Sequence, residues 1–163
     1  MHDAVRVFLE DVKRIHPDHF KKKRVLEVGS QDLNGSAREY FKKCEYTGVD
    51  WQPGKGVDVV ALAHELTYPD NTFDVVVSTE CMEHDVHAKL TVSNIIRMLK
   101  PGGLCIITAA SDNREPHELY CGVDSYYGNI PISFFAEYHK QFKDWEVRQT
   151  RNGEDIQFFG IKA

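Results

Sequence analysis

The sequence lacks the long apolar runs of a membrane protein. None reaches the roughly 18 to 20 residues that cross a bilayer, and the N-terminal region has no apolar core of a secretory signal. An excess of basic residues is missing too, since the 163 residues carry a formal net charge of −5 and the dense basic run is confined to Lys21–Arg24. We therefore expect one soluble, cytoplasmic domain over residues 1–163, with no membrane partner and no nucleic-acid partner.

Cysteines are few and scattered. The four cysteines form no CxxC pair, which argues against a disulfide framework and against a zinc site. One short segment, residues 81–87, is rich in metal-binding residue types: Cys81, Glu83, His84, Asp85 and His87. No second half elsewhere in the sequence matches it, so we expect no metal.

Apolar residues follow a pattern of alternating strands and helices. Strands are predicted at Arg24–Val28, Tyr46–Asp50, Val57–Val60, Phe73–Ser78 and Leu104–Ala109. Helices are predicted at residues 3–17, Ser36–Lys43, Val86–Lys100 (stopped by Pro101-Gly102-Gly103) and from Pro131 through Phe142. A closing hairpin, Trp145–Thr150 and Ile156–Ile161, adds one antiparallel strand. The fold class predicted is α/β: a Rossmann-like, doubly wound, mostly parallel sheet with helices on both faces.

The first two strands end in residues suited to a nucleoside. Glu27 and Gly29 close the first strand, and Asp50 and Trp51 close the second. A carboxylate at the second strand end can accept hydrogen bonds from ribose hydroxyls, and the adjacent indole offers a face for adenine. Glycine at position 29 lets the backbone approach a ligand closely. These strand ends predict a nucleoside-cofactor site.

The GxGxxG pattern of dinucleotide-binding proteins is missing. The loop reads Gly29-Ser30-Gln31-Asp32-Leu33-Asn34-Gly35, without the glycine that admits a pyrophosphate. An anionic Asp32 at this loop is a poor neighbour for a diphosphate and a tolerable one for a sulfonium or an amino group. The loop therefore favours S-adenosylmethionine over a nicotinamide cofactor, and a reductase is the disfavoured reading.

Taken together, these segments resemble the class I S-adenosylmethionine-dependent methyltransferases, in particular the small methyltransferase domains. The matching segments lie within residues 24–110 and comprise Val25–Ser36, Tyr46–Asp50, Val57–Leu66, Asn71–His84 (NTFDVVVSTECMEH) and Arg97–Thr108 (RMLKPGGLCIIT). The first of them carries a GSxDxNGS form of the glycine-rich motif. Gln31 and Leu33 stand where the family often has its later glycines.

The resemblance implies a seven-stranded sheet and a division of the cofactor site. Glu27, Gly29, Ser30 and Asp32 would lie at the methionine end, Asp50 would hold the ribose, and Trp51 would pack on adenine. Leu62 and Ala63, with His64, would flank the adenine, although relatives often have Asp at position 62. Ser78, Thr79 and Glu80 would form the floor near the sulfonium.

His84 is the candidate catalytic base, because it follows the fourth strand near the place expected for the methyl group. A structural or cofactor-side role for the Glu83-His84 pair stays open, and His64, His117 and His139 are weaker candidates. Cys81 has no preceding proline and an Asn/Asp-Pro-Pro-Tyr/Phe pattern is missing, which argues against DNA bases as acceptors.

The segment 111–129 is long, polar and aromatic, and its position after the fifth strand predicts a lid over the acceptor. It includes Arg114, His117, Glu118, Tyr120, Tyr126 and Tyr127. We expect methyl transfer to oxygen or nitrogen of a small-molecule or saccharide-like acceptor. The alternative is a non-catalytic module that binds S-adenosylmethionine as a partner or regulator. A second copy or a partner subunit could complete the acceptor pocket.

Overall fold

The computed structural model describes residues 1–116 and 126–163, which contain a seven-stranded sheet and two α-helices. The strands are β1 (Arg24–Val28), β2 (Glu45–Asp50), β3 (Val59–Val60), β4 (Phe73–Thr79), β5 (Leu99–Ala110), β6 (Phe142–Gln149) and β7 (Asp155–Lys162). The α-helices are α1 (Asp3–Ile15) and α2 (Ala88–Met98). Short 3-10 turns connect several of these elements.

The strand order reverses at the centre of the sheet. The order is β3-β2-β1-β4-β5-β7-β6, so the chain moves outward in one direction from β1 and in the other from β4. Every neighbouring pair is parallel except the two that involve β7, which runs antiparallel to β5 and to β6. The predicted fold class is confirmed. A crevice is expected where the order reverses, beyond the carboxyl ends of β1 and β4.

The two α-helices cover opposite faces of the sheet. Val75 and Val77 of β4 belong to the apolar cluster of α1, whereas Val76 belongs to the cluster of α2. A strand covered on both faces has apolar residues in succession, which is why β4 reads as an unbroken apolar run. Within the described parts of the chain, no helix combines the length and the apolarity needed to cross a membrane.

The helix predicted at Ser36–Lys43 is wrong. A single 3-10 turn forms at Ala37–Tyr40 and ends at Phe41, whose backbone is extended. The Phe41 ring stacks on Phe20 with 4.7 Å between centroids, and the Lys42 N–H donates to the Phe20 carbonyl. The apolar spacing was a sign of burial, but tertiary contacts with the segment before β1 determine the backbone conformation.

The end of the second long helix differs from the prediction. The helix stops at Met98, and β5 begins at Leu99, before the Pro101-Gly102-Gly103 signal. Leu99 pairs with Phe73, after which the ladder shifts register and resumes with Leu104. The proline and glycines therefore form an irregularity inside β5 and do not precede it.

The predicted helix from Pro131 is also wrong. Two 3-10 turns, Ile132–Glu137 and His139–Gln141, take its place, and Phe142 opens β6. Phe142 packs edge-on against Phe158 of β7, with ring centroids 5.2 Å apart. The aromatic spacing reflects packing of turns and of a strand against β7. The closing hairpin itself is confirmed, with both strands longer than predicted.

Candidate functional site

A cavity of about 740 Å³ opens where the strand order reverses. Val28 lies opposite Val49 in one direction and Ser78 in the other, so β1, β2 and β4 end at the same level. The site residues predicted from the sequence line this cavity with two exceptions, Asp32 and Ser78. Those that line it are Glu27, Gly29, Ser30, Asp50, Trp51, Leu62, Ala63, Thr79, Glu80 and His84.

Asp32 and Ser78 make contacts that shape the site from outside the cavity. The Ser78 hydroxyl donates to the Val28 carbonyl at 2.9 Å and ties β4 to β1. The Asp32 carboxylate pairs with Lys55 at 2.6 Å and accepts the Gly35 N–H at 2.7 Å. The Lys55 contact, followed by the Gly35 bond, lowers the pKa of Asp32. Asp32 therefore stabilises the loop that follows β1.

The loop after β1 lies directly on the segment after β4. Gly29 has a φ of 75°, and its N–H donates to the Val49 carbonyl at 2.9 Å. A Cβ atom at position 29 would lie 2.5 Å from the Cβ of Cys81. Both the backbone conformation and this close approach require glycine.

Asp50 is fixed at the edge of the cavity by backbone donors. Its carboxylate accepts the Gln31 N–H at 3.1 Å and the Gln52 N–H at 3.4 Å. The neighbouring Trp51 also lines the cavity and is 48% exposed, so much of its indole is available to a ligand. A carboxylate acceptor beside an exposed aromatic ring suits a ligand with a sugar and a planar base.

Glu27 is almost completely buried at the base of the cavity, with 2% of its surface exposed. Its Oε2 accepts hydrogen bonds from the Tyr46 hydroxyl at 2.9 Å and from the Ser36 hydroxyl at 3.3 Å. Burial raises the pKa of Glu27 to about 7, although both hydrogen bonds favour the charged form. A cationic ligand group at this position would complete the stabilisation of the carboxylate.

Two histidines that follow β4, His84 and His87, and one that follows β3, His64, line the cavity. His84 belongs to the 3-10 turn that follows β4, and its ring packs edge-on against Tyr127 with 5.3 Å between centroids. The rings of His64 and His87 lie 4.4 Å apart. His139 does not join them, because its Nδ1 contacts the Ala136 carbonyl at the surface.

Part of the predicted lid over residues 111–129 lies outside the described residues. His117, Glu118 and Tyr120 fall in that part. Of the described residues of the segment, Arg114 and Tyr126 line the cavity, and Tyr127 contacts His84. The lid itself stays a prediction.

The sequence reasoning missed a cluster of charged residues on the β4–β5 side of the cavity. The His2 Nε2 lies 3.2 Å from Glu80 Oε2 and 3.5 Å from Asp155 Oδ1. Arg114 pairs with the same Asp155 oxygen and lies 3.7 Å from Glu80. Asp155, followed by Glu80, raises the pKa of His2 to about 9. No local pattern indicates this cluster, because its members come from distant parts of the chain.

Three members of this cluster, His2, Glu80 and Asp155, are of residue types that bind metal ions. The ligand atoms of His2, Glu80 and Asp155 lie within 4.8 Å of one another. The guanidinium of Arg114 already pairs with Asp155 and lies beside Glu80, so an organic cation neutralises these carboxylates. Within residues 1–116 and 126–163, the ligand atoms of the segment 81–87 do not form such a group of three within 4.8 Å of one another.

Residues 2–163 match the family model described as "Methyltransferase domain". The chain belongs to the methyltransferase-domain family. The match covers the whole fold from α1 to β7, and the resemblance found in the sequence is thereby confirmed.

Two curated relatives of this methyltransferase domain come from Rickettsia. The ubiquinone biosynthesis O-methyltransferase of Rickettsia felis is 24% identical over 91% of the chain, and that of Rickettsia akari is 22% identical over 95%. The chain spans 66% and 67% of the length of these two relatives.

Solved structures share the fold at low sequence identity. Haemonchus contortus phosphoethanolamine N-methyltransferase 2, in complex with S-adenosyl-L-methionine, superposes with a TM-score of 0.69 at 20% identity, over 96% of this chain and 52% of that one. Burkholderia thailandensis 1,6-didemethyltoxoflavin-N1-methyltransferase, with bound 1,6-didemethyltoxoflavin and S-adenosylhomocysteine, gives 0.68 at 16% identity, over 96% and 78%. At these identities the likeness establishes the fold.

Proposed function

We propose that this methyltransferase-domain protein transfers a methyl group from S-adenosylmethionine to oxygen or nitrogen of a small-molecule or saccharide-like acceptor. The observation that carries the proposal is the cavity at the strand-order reversal, which Glu27, Asp50 and Trp51 all line. An α/β sheet binds nucleoside ligands at this position.

The residues that line the cavity fit the parts of this cofactor. Asp50 would accept hydrogen bonds from the ribose hydroxyls, and Trp51, with Leu62 and Ala63, would contact adenine. Glu27 would pair with the ammonium group of the methionine part, which a buried carboxylate with a raised pKa can stabilise. Asp32 and Ser78 would act as positioning residues, through the contacts that fix the loop after β1 and the end of β4.

The bound cofactor supplies a methyl group on a positively charged sulfur, so the protein has to align the acceptor and remove its proton. Gly29 and Ser30 would hold the methionine end, and Thr79 and Glu80 would border the methyl group. His84 would take the proton of an acceptor hydroxyl or amine, because it lines the same cavity beyond β4.

The comparisons support oxygen or nitrogen as the methylated atom. The curated relatives are named as ubiquinone biosynthesis O-methyltransferases, and the two solved structures are named as N-methyltransferases. Oxygen and nitrogen both remain within the proposal. A small acceptor also fits a cavity that must hold the cofactor as well.

Calorimetry and a transfer assay together test the proposal. Calorimetry measures S-adenosylhomocysteine, S-adenosylmethionine and NAD against the purified chain. The transfer assay follows the labelled methyl group of S-adenosylmethionine to phenols, dihydroxybenzenes, amines and sugars. We expect binding of the two adenosyl compounds and transfer that His84→Gln reduces by about 100-fold. Binding of NAD alone would overturn the proposal, and S-adenosylhomocysteine binding without any transfer would favour a non-catalytic binding module.

A further inference from the structure

Glu80 has an unusual backbone conformation for its position. Its φ is 52°, in the left-handed region that non-glycine residues seldom adopt. The other described non-glycine residues with positive φ are all exposed: Lys22, Lys43 and Asn71 lie outside the strands, and Asp144 lies at the register shift of β6. Glu80 instead follows the buried strand β4 and lines the cavity. Strain at such a place persists only where the surrounding contacts hold it, and it is common at functional sites.

Groups from three other parts of the chain surround the Glu80 carboxylate. The Thr108 hydroxyl donates to Oε1 at 2.9 Å, and His2 contacts Oε2 at 3.2 Å. Arg114 Nη2 lies 3.7 Å from the same Oε2. The Glu80 N–H donates to the Thr108 carbonyl at 2.9 Å. The backbone and both carboxyl oxygens therefore have defined positions, while the side chain remains 21% exposed.

Asp155, at the start of β7, holds the two cations. Its Oδ1 contacts His2 and Arg114, and its side chain is 4% exposed. Two cations and two carboxylates thus balance one another. Glu83 is completely buried, and burial and the neighbouring Glu80 raise its pKa, which disfavours a third carboxylate charge. The Glu80 carboxylate is a charged acceptor that the fold orients at the cavity surface.

We propose that Glu80 is a specificity-determining residue whose carboxylate accepts a hydrogen bond from a hydroxyl or ammonium group of the methyl acceptor, with His2 and Arg114 as positioning residues. This inference rests on the proposed methyl transfer. It assigns the acceptor to a chemical class, molecules with a hydrogen-bond donor in addition to the group that is methylated. A partly exposed carboxylate that gains a further donor from the bound molecule favours acceptors with such a donor over analogues that lack it.

The methyl-transfer step leaves Glu80 charged. A lone pair on the acceptor oxygen or nitrogen forms the bond to the methyl carbon, and the carbon–sulfur bond breaks with its electron pair on sulfur. The acceptor proton passes to His84 and then to water. Glu80 exchanges no proton in this sequence, so its contribution is orientation of the acceptor.

The first experiment measures discrimination by Glu80. The three dihydroxybenzene isomers and their monomethyl ethers are compared as acceptors for the wild type, for Glu80→Gln and for the exposed control Glu10→Gln. We expect kcat/KM for at least one diol to exceed that of its ether by about 10- to 100-fold in the wild type. Glu80→Gln should abolish this ratio and leave S-adenosylhomocysteine affinity within about twofold, and Glu10→Gln should change neither.

The second experiment tests the positioning role of His2 through the pH profile. His2 faces Glu80, Asp155 and Arg114, and it loses its charge as the pH rises through about 9. We expect kcat/KM to fall above that pH in the wild type, and His2→Lys, which keeps the charge, to move the fall upward. His2→Gln should lower the plateau and remove this limb. The surface variant His139→Gln should reproduce the wild-type profile.

The outcomes separate this inference from the proposed function. Transfer without any preference for donor-bearing acceptors, or with a preference that survives Glu80→Gln, would overturn the role of Glu80 and leave the methyltransferase proposal standing. An unchanged pH profile in His2→Gln would overturn the positioning role. Binding of S-adenosylhomocysteine with no transfer to any compound would overturn both proposals together.

Discussion

The two sides of the cavity are built in different ways. On the β1–β2 side, Glu27, Gly29 and Asp50 come from two consecutive strands, and nearby backbone and hydroxyl groups fix them. On the β4–β5 side, His2 and Asp155 come from opposite ends of the chain and meet at Glu80. The first side is a local motif, whereas the second exists only when the whole sheet is assembled. Substitutions on the second side should therefore lower the free energy of unfolding more than they weaken cofactor binding.

The largest effect is expected from Asp155→Ala. Removing this buried carboxylate takes away one of the two carboxylates that His2 and Arg114 share. Breaking a buried ion pair by removing one partner costs about 3 to 5 kcal/mol. We expect urea unfolding to show this loss of unfolding free energy, while calorimetry shows S-adenosylhomocysteine affinity within about twofold of the wild type. Large losses of both would mean that the two sides are not separable.

Asp144→Ala is the matched control for Asp155→Ala. Asp144 also approaches a histidine, with 3.8 Å between its Oδ2 and the His16 Nε2, but its side chain is 72% exposed. A carboxylate that is open to solvent gains little from such a contact, so the variant should lose less than about 0.5 kcal/mol of unfolding free energy. An equal loss of unfolding free energy in both variants would mean that burial of the Asp155 carboxylate is not the cause of the effect.

The second prediction concerns the contact between the two sides. Gly29→Ala places a Cβ atom 2.5 Å from the Cys81 Cβ in a residue with a φ of 75°. Backbone strain and overpacking together should destabilise the protein by about 2 to 4 kcal/mol. Gly102→Ala is the control, because its φ is 76° and no atom lies within 4 Å of the added Cβ. It should show the backbone strain alone, about 1 kcal/mol. Equal losses would contradict a packing role for Gly29.

The third prediction isolates cofactor affinity on the β1–β2 side. Asp50→Ala should weaken S-adenosylhomocysteine binding by about 1 to 3 kcal/mol, since it removes charge-assisted hydrogen bonds. Asp58→Ala is the control: Asp58 accepts the Gly48 N–H at 2.7 Å and pairs with Arg38, but it does not line the cavity. It should lose stability and keep its affinity. Unchanged affinity in a folded Asp50→Ala variant would place the ribose elsewhere.

The sequence was sufficient to predict the β1–β2 side of the cavity. Glu27, Gly29 and Asp50 are encoded by strand ends in consecutive order, and parallel strands bring their carboxyl ends to one edge. The role of Asp32 could be anticipated only in part, because its partner Lys55 lies on a later loop. Residue type indicates that a carboxylate is present but not which cation it meets.

The β4–β5 side could not be predicted in the same way. His2 precedes α1 and Asp155 begins β7, so neither belongs to a recognisable local pattern. Their proximity depends on the placement of β7 beside β5 and on the packing of α1 against the same face. The two incorrect helix predictions have the same cause, namely contacts between residues far apart in the sequence. Phe41 and Phe142 have extended backbones and pack against the aromatic rings of Phe20 and Phe158.

The smallest expected effect is a pH dependence on the β1–β2 side, caused by Glu27. Its pKa is raised to about 7, well above that of an unfolded chain, so rising pH between about 4.5 and 7 should reduce stability. Cofactor affinity should change in the opposite direction, because only the charged carboxylate pairs with an ammonium group. We expect S-adenosylhomocysteine affinity to rise about tenfold from pH 6 to pH 8.

Tyr46→Phe provides a graded test of this mechanism. The variant removes a hydroxyl that donates to Glu27 Oε2 and stabilises the charged form. The midpoint of the affinity curve should therefore move to higher pH, with a loss of about 1 kcal/mol in affinity at neutral pH. Glu27→Gln should give a flat curve over the same range in calorimetry. A midpoint that stays in place in Tyr46→Phe, or a slope that survives in Glu27→Gln, would show that a group other than Glu27 titrates, and the ammonium contact would then have to be assigned to another residue of the cavity.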